Sequence, residues 1–172
     1  MRKVSIHGKA SLLRDFILGA SDGIVTTFAV IAGVVGASLS SRVVIILGLA
    51  KLLADAISMF AGIYLGAKSE IEYRHLRKDK HEDIHPLIQG IIVFVSFLTI
   101  GFLPLLPFVF NLPQKFILSS VIVAIALLVI GGVRAASVGK RALVGAIEMF
   151  LIGGAAAVAA YFVGFLLDKY VV

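Results

Sequence analysis

Four charged residues stand inside long apolar stretches of the chain, and they are the first candidates for chemistry: Asp22, Lys51, Asp55 and Glu148. On membrane-insertion scales, a charged residue at the middle of a spanning helix costs roughly 2.5–3.5 kcal/mol. Side chains that carry this penalty normally face a water-filled cavity or a partner, and they often mark ion pathways or proton relays. We therefore expect a functional or pairing role for these residues.

Three side chains are predicted to share one layer of the membrane. Counted at 1.5 Å per residue from the midpoints of their apolar stretches, Asp22 lies about 7 Å, Met59 about 6 Å and Glu148 about 10 Å to the same side of the midplane. Oxygen ligands alone suit Mg²⁺, Ca²⁺ or Mn²⁺, whereas a soft thioether sulfur favours later transition metals such as Fe²⁺. The layer therefore predicts a mixed carboxylate and thioether metal site.

Each of the three residues also has a purely structural interpretation. Asp22 lies in a Ser-Asp-Gly sequence and would cap or hydrogen-bond a neighbouring helix end. Met59 would fill a gap in the core, as methionine often does. No basic residue inside the spans clearly shares the depth of Glu148, which would instead reach toward Arg141 or Lys140 at the membrane boundary.

The remaining charged positions are defined by their helical spacing. Asp15 and Asp22 are seven residues apart and so lie on one face of a helix, a polar stripe that a lipid-facing helix would not need. Lys51 and Asp55 are four residues apart, where side chains on a helix meet. They form either a self-neutralised pair or a proton-coupling site in which a carboxylate exchanges its proton as a cation passes.

A charged connection at 68–87 reads KSEIEYRHLRKDKHEDIHPL and contains a literal H-E-x-x-H match. That motif supplies two zinc ligands and a general base in metalloproteases. About 20 residues do not fold a substrate cleft, so proteolysis is disfavoured. Two interpretations stay open: capture of divalent metal on the cytosolic side, or an ordinary solvated extension of the second helix. The capture residues would be Glu70, Glu72, His81, Glu82 and His85.

Composition places all of these residues in one membrane domain, residues 1–172. The chain is 60% hydrophobic and 15% charged, with a mean hydropathy of +1.07, whereas soluble chains are about 45–50% apolar. Since about 20 helical residues cross a bilayer core, the apolar runs predict an all-α integral membrane protein with five spanning helices. Their expected ranges are about 16–38, 43–67, 88–110, 116–133 and 143–167. Pro104 and Pro107 predict a kink whose freed carbonyls are satisfied by neighbouring helices.

The distribution of lysine and arginine predicts the orientation. Twelve of the 16 lie in the N-terminal arm and the connections at 68–87 and 134–142, whereas Arg42, Lys115 and Lys169 lie on the opposite side. The positive-inside rule then puts the N-terminus in the cytosol and the C-terminus outside. Because these loops explain the net charge of +6, no nucleic-acid partner is expected. The lack of a targeting extension predicts a prokaryotic cell membrane.

Four segments resemble the vacuolar iron transporter family. RDFILGASDGIVTTFAVIAGVVGA is similar to that family's first helix, with its R-D-x6-D-G-x-x-T-x-F-A pattern, and ADAISMFAGIYLGAKSE resembles its second. SFLTIGFLPLLPF and LIGGAAAVAAYFVGFLL are similar to its third and fifth helices. The resemblance covers nearly the whole transmembrane part in the same order.

The resemblance implies a homodimer of five-helix protomers that exports Fe²⁺, and often Mn²⁺, from the cytosol in exchange for protons. It implies a path between protomers lined by the first helices. It further implies a metal site that matches Asp22 and Met59, with Asp15 at the cytosolic entrance. The metal is then a transported substrate, and no permanently bound cofactor is expected.

Two departures from the family pattern bear on function. The family usually has glutamate eight residues before the methionine, where this chain has Lys51, with the carboxylate of Asp55 one turn later. A cation at that position would repel Fe²⁺ or alter coupling unless Asp55 neutralises it. The family's cytosolic Glu- and Met-rich metal-binding domain is also missing, and the segment 68–87 is too short to replace it.

Three functions follow, with membrane lipid, divalent metal ions and protons as expected partners. The first is a secondary transporter that moves divalent iron, with manganese as a second substrate, out of the cytosol. The second is a proton-linked carrier or channel for another divalent cation on the same scaffold, which Lys51 favours. The third is a non-transporting membrane protein that uses GASDG (19–23) and GIYLG (62–66) as helix-packing surfaces. An enzyme is not expected.

Overall fold

A computed structural model gives the structure of the protein for residues 6–77 and 84–170. Within these residues the secondary structure consists of helices alone. In chain order they are α1 (Ile6–Gly36), α2 (Ser41–Leu76), α3 (Pro86–Phe102), α4 (Leu106–Val109), α5 (Lys115–Ser137) and α6 (Ala142–Tyr170), with a 3₁₀ turn at Leu103–Leu105 between α3 and α4.

Five segments of the described chain are long and apolar enough to cross a membrane, which confirms the predicted fold class. They are Ala10–Gly36, Ser41–Leu76, Pro86–Val109, Lys115–Ser137 and Ala142–Tyr170. Several helices run beyond the apolar stretches: α2 continues to Leu76 rather than ending at 67, so the connection expected at 68–87 begins as helix. An ion pair between Glu70 and Arg74, one turn apart, stabilises this extension.

The third spanning segment is broken where proline predicts it. Proline has no N–H to donate and its ring clashes with the preceding turn, so regular helix stops at Phe102 and resumes at Leu106. The 3₁₀ turn between them contains Pro104, whose carbonyl accepts a hydrogen bond from the Ser119 hydroxyl at 2.8 Å. Both residues are buried. The carbonyls freed by the two prolines are those of Ile100 and Leu103, and they accept from the Leu103 and Leu106 N–H groups of the same segment. The expectation that neighbouring helices satisfy the freed carbonyls is therefore wrong, although α5 adds a hydrogen bond at Pro104.

Helix α1 lies at the centre of the bundle. Half of its apolar window is buried, compared with 22% for α2 and 11% for α6. Glycines allow its close approach to neighbours: a Cβ on Gly23 would collide with the backbone of Phe97 in α3, and one on Gly164 of α6 would collide with the carbonyl of Gly33. Large buried side chains complete the core: Ile24, Ile31, Val44, Leu52, Phe97, Leu105 and Leu127. The apolar face of α1 is thus enclosed by other helices, whereas Asp22 on its polar stripe is only half-buried.

Candidate metal site

Asp22 presents a half-buried carboxylate on the central helix. One turn later, the Thr26 hydroxyl donates to the Asp22 backbone carbonyl at 2.6 Å. Within residues 6–77 and 84–170, no hydrogen bond or ion pair reaches the Asp22 carboxylate itself. The alternative in which this side chain caps a neighbouring helix end is therefore not realised in this part of the chain. The carboxylate remains available for a cation.

Lys51 is held beside Asp22 by three helices. Its ammonium donates to the Thr26 hydroxyl of α1, pairs with the Asp55 carboxylate at 2.8 Å, and lies 5.2 Å from the centre of the Phe97 ring in α3. Lys51 and Asp55 are also close enough for their charges to act on the Asp22 carboxyl. The predicted pairing of Lys51 with Asp55 is confirmed. The charge of the Lys51 ammonium also acts on the Asp22 carboxyl.

The contact between Lys51 and Thr26 joins α2 to α1 one turn after Asp22. Because the two helices are antiparallel, Met59, which follows Lys51 by eight residues, and Asp22, which precedes Thr26 by four, both lie on the same side of this contact, about 12 Å and about 6 Å along their helices. Met59 is also partly buried against the core, so it has a packing role there.

Asp15 is fully buried within one chain. Its Oδ1 accepts hydrogen bonds from Arg14, from Nη2 at 2.8 Å and from Nε at 3.0 Å. Its Oδ2 is buried and has no hydrogen-bond partner among the described residues. Asp15 precedes Asp22 by seven residues, about 10 Å along α1. Asp15 thus has one carboxylate oxygen held by Arg14 and one buried oxygen that no described residue satisfies.

Glu148 has a basic partner in α5 that its position in the sequence does not indicate. Its carboxylate forms an ion pair with Arg134 of α5, and both side chains are about half exposed, 53% and 42% respectively. The expected reach toward Arg141 or Lys140 is therefore wrong. Arg134 was assigned to a connection, but α5 continues to Ser137, and the antiparallel packing of α5 on α6 brings Arg134 to Glu148. The ion pair favours a structural role for Glu148 over metal binding.

The charged connection shows no assembled metal site in its described part. Glu70 is paired with Arg74, Glu72 is exposed on α2, and His85 caps α3 by accepting a hydrogen bond from the Leu87 N–H on Nδ1 at 3.3 Å. The other two candidates, His81 and Glu82, lie outside the described residues. Across 6–77 and 84–170, no group of three or more His, Cys, Asp or Glu side chains is arranged to hold a metal.

Of the predicted site residues, the structure brings together the Asp22 carboxylate and the paired carboxylate of Asp55. Met59 packs partly against the core. Divalent iron and manganese accept oxygen, nitrogen and sulfur ligands of this kind. Further ligands must come from water or from another chain for the coordination sphere to be complete.

Comparison with known proteins gives one family and several relatives. A family model described as the VIT family matches residues 13–84 and 71–165. The chain is 29% identical over 208 residues to a vacuolar iron transporter of Centaurea cyanus, covering 87% of this chain and 85% of that protein. It is 29% identical over 209 residues to vacuolar iron transporter 1 of Oryza sativa subsp. japonica, covering 87% and 83%. A vacuolar iron transporter of Toxoplasma gondii is 46% identical over 70 residues, covering 41% of this chain and 23% of that protein.

The two plant relatives contain a segment that this chain lacks. Both plant alignments are longer than the 172 residues of this chain, so each plant protein contains residues with no counterpart here. The two matches to the family model overlap at 71–84, which covers the end of α2 and most of the connection to α3. This position agrees with the expectation that an additional domain between the second and third helices is absent from this chain.

Proposed function

The chain belongs to the VIT family, and from this premise we propose that it is a secondary transporter that carries Fe²⁺ out of the cytosol in exchange for protons. Because this is a family of membrane transporters, the expectation of a transport protein rather than an enzyme is confirmed. Manganese is proposed as a second substrate, because the same carboxylate and thioether ligands accept it.

The observation that carries this proposal is the Asp22 carboxylate. It lies in a membrane-spanning segment, is half-buried, and has no hydrogen-bond or ion-pair partner among the described residues. An unpaired carboxylate in a membrane is unfavourable unless a cation or water compensates it. We propose that Asp22 and Met59 coordinate the transported ion and that Asp15 receives it at the cytosolic end of the path.

The complete site is proposed to form between two copies of the chain. One chain supplies too few ligands for a divalent ion, and two copies related by a twofold axis would supply each ligand twice. The sequence of α1 and its resemblance to the family support a path lined by the two α1 helices. The exposed surface of α2, of which only 22% of the apolar window is buried, provides area for such an interface.

Lys51 and Asp55 are proposed to couple transport to protons. Without metal, the ammonium compensates the two carboxylates around it, which gives the group of Asp22, Lys51 and Asp55 a net charge of −1. A divalent ion that binds Asp22 makes the same ammonium unfavourable, because like charges repel. Release of a proton from this group as the ion enters would relieve the repulsion and link the two movements.

The test is Fe²⁺ transport by purified protein in liposomes with an imposed pH gradient. Asp22→Asn removes the charge but keeps the size of the side chain, so we expect transport to fall to the background of empty liposomes. The matched control is Asp168→Asn, which removes an exposed carboxylate at the end of α6 and should leave transport unchanged. Unchanged transport by Asp22→Asn, in protein with an unaltered elution profile, would refute the site.

Lys51 supports a second candidate function, a carrier for another divalent cation. A cation at position 51 opposes a divalent ion at Asp22, and this favours a carrier whose substrate differs from iron on the same scaffold. Competition among Fe²⁺, Mn²⁺, Co²⁺, Zn²⁺ and Mg²⁺ in the liposome assay separates the two. Strong inhibition of Fe²⁺ flux by another ion at equal concentration would favour the alternative carrier.

The relatives also bear on the membrane in which the protein resides. Integral membrane location follows from the five apolar helices. The relatives described above are eukaryotic proteins with the word vacuolar in their names, and they give no support to the expected prokaryotic cell membrane. The cytosolic N-terminus is proposed from the distribution of basic residues, and labelling of single introduced cysteines from either side of the membrane tests it.

A further inference from the structure

A groove of about 700 Å³ opens between α5 and α6, with α1 as its floor. It is lined almost wholly by apolar side chains, including Phe28 of α1, Phe116 and Val121 of α5, and Phe150 and Tyr161 of α6. Its volume is in the range of about 300–1,000 Å³ that is typical of ligand pockets. Asp22, Lys51 and Met59 are not among the residues that line it.

The groove has the depth of one leaflet of the bilayer. On α5 it extends from Phe116, the second residue of the helix, to Leu127, a rise of about 16 Å. A bilayer core is about 30 Å thick, so this length is about half of it. The groove therefore begins at a membrane boundary and ends near the midplane.

Small residues on α6 keep the groove open. Gly153 and Gly154 both line it, together with Ala157 one turn later. A Cβ added to Gly154 would meet no atom within 4 Å, so the space beside this residue is unfilled by the chain. In a membrane, an unfilled apolar space of this kind is occupied by lipid or by another helix.

Two unpaired cations lie at the end of the bundle where the groove begins. Lys115 is the first residue of α5 and directly precedes Phe116 in the groove wall. Its ammonium donates to the Ser41 hydroxyl at 3.3 Å, which brings the start of α2, with the exposed Arg42, to the same end. Neither Lys115 nor Arg42 has a carboxylate partner in the part of the chain that the structure describes.

We propose that this groove and these two cations form a binding site for one anionic phospholipid. One acyl chain of the lipid lies between α5 and α6, and the phosphate group is bound by Lys115 and Arg42. An apolar slot one leaflet deep fits an acyl chain, and positive charge at its boundary end attracts an anionic headgroup. A helix of a second copy would fill the slot but would leave both cations without a partner. The site is independent of the proposed metal site.

The experiment is native mass spectrometry of the purified protein after detergent exchange with defined lipids. The protein is titrated separately with dioleoyl phosphatidylglycerol, which is anionic, and dioleoyl phosphatidylcholine, which has no net charge. Gly154→Leu places a side chain in the groove, and Ala155→Leu is the matched control, because Ala155 is exposed on the same helix and does not line the groove. Lys115→Gln with Arg42→Gln removes the positive charge.

We expect one phosphatidylglycerol per chain to be retained at least fivefold better than phosphatidylcholine. Gly154→Leu should abolish this retention while Ala155→Leu keeps it, and the double glutamine variant should bind the two lipids equally. Equal lipid retention by the two leucine variants would overturn the proposal. So would a preference for phosphatidylglycerol that survives loss of both cations, or a change in oligomeric state caused by Gly154→Leu alone, which would assign the groove to a second copy.

Discussion

Replacement of Lys51 by methionine removes the one positive charge beside Asp22 while keeping a long side chain in the same space. In the structure this ammonium contacts Thr26, pairs with Asp55 and interacts with Asp22. The substitution changes the net charge of Asp22, Lys51 and Asp55 from −1 to −2. We expect divalent ions to bind more tightly to the variant than to the wild-type protein.

The size of this effect follows from the separation of the charges. We take the Lys51 ammonium to lie about 8 Å from an ion at the Asp22 carboxylate, because it contacts Thr26, which is one turn, or about 5.4 Å of rise, from Asp22. Two unit charges 4 Å apart interact by about 4 kcal/mol at an effective dielectric constant of about 20 and by about 1 kcal/mol in water. A divalent ion at 8 Å has twice the charge and twice the distance of this reference pair, so its repulsion by the ammonium has the same two values. Removing the repulsion should therefore lower Kd by about 5-fold to 1,000-fold.

The measurement is calorimetric titration of Mn²⁺, which is stable in air, into protein held in lipid nanodiscs. Lys51→Arg is the matched control, because it keeps the charge and should bind Mn²⁺ within about threefold of the wild-type protein. The Asp22→Asn substitution added to Lys51→Met should abolish the gain. Unchanged or weaker Mn²⁺ binding by Lys51→Met would refute the view that this ammonium opposes an ion at Asp22.

Three further substitutions test separate features of the structure. Glu148→Gln breaks a half-exposed ion pair with Arg134, so the free energy of unfolding should fall by less than about 1 kcal/mol. Fe²⁺ flux should stay within about twofold of wild type, and a loss of flux would show that Glu148 takes part in metal transport. Ser119→Ala leaves the buried carbonyl of Pro104 without its side-chain donor and should destabilise the protein by about 1–3 kcal/mol in a thermal melt in detergent. Gly164→Leu forces α6 away from α1 and should cost about 1–3 kcal/mol or more in the same melt, and an unchanged melting temperature would contradict the close contact.

Local features of this protein were predictable because they depend on residues near one another in the chain. The break in the third span follows from proline chemistry at 104 and 107, and the pair of Lys51 and Asp55 follows from a spacing of four on one helix. The five apolar runs likewise predict five spanning helices, because the length of a run is a property of the sequence alone.

Contacts between helices were not predictable in the same way. The partner of Glu148 depends on how α5 and α6 pack, and the contact of Lys51 with Thr26 depends on the register of α1 against α2. An apolar pattern identifies which residues are buried but leaves the relative rotation and shift of two helices open. The interpretation of 68–87 as an extension of the second helix is confirmed as far as Leu76, but the residue at which the helix ends was not predictable because a charged stretch stabilised by pairs within one helix has no apolar signal.

The glycine contacts of α1 divide the bundle into parts that differ in how they can move. Helix α1 meets α3 and α6 backbone to backbone at Gly23 and Gly164, where no side-chain layer is present that could slide or repack. It meets α2 near Asp22 through the long, rotatable side chain of Lys51. Helix α2 also packs on α3, since Cβ atoms added to Gly90 and Gly101 of α3 would meet the Phe60 and Leu52 side chains of α2. A conformational change at Asp22 would therefore repack side chains along α2, whereas the backbone contacts of α1 with α3 and α6 would hold those three helices together as one unit.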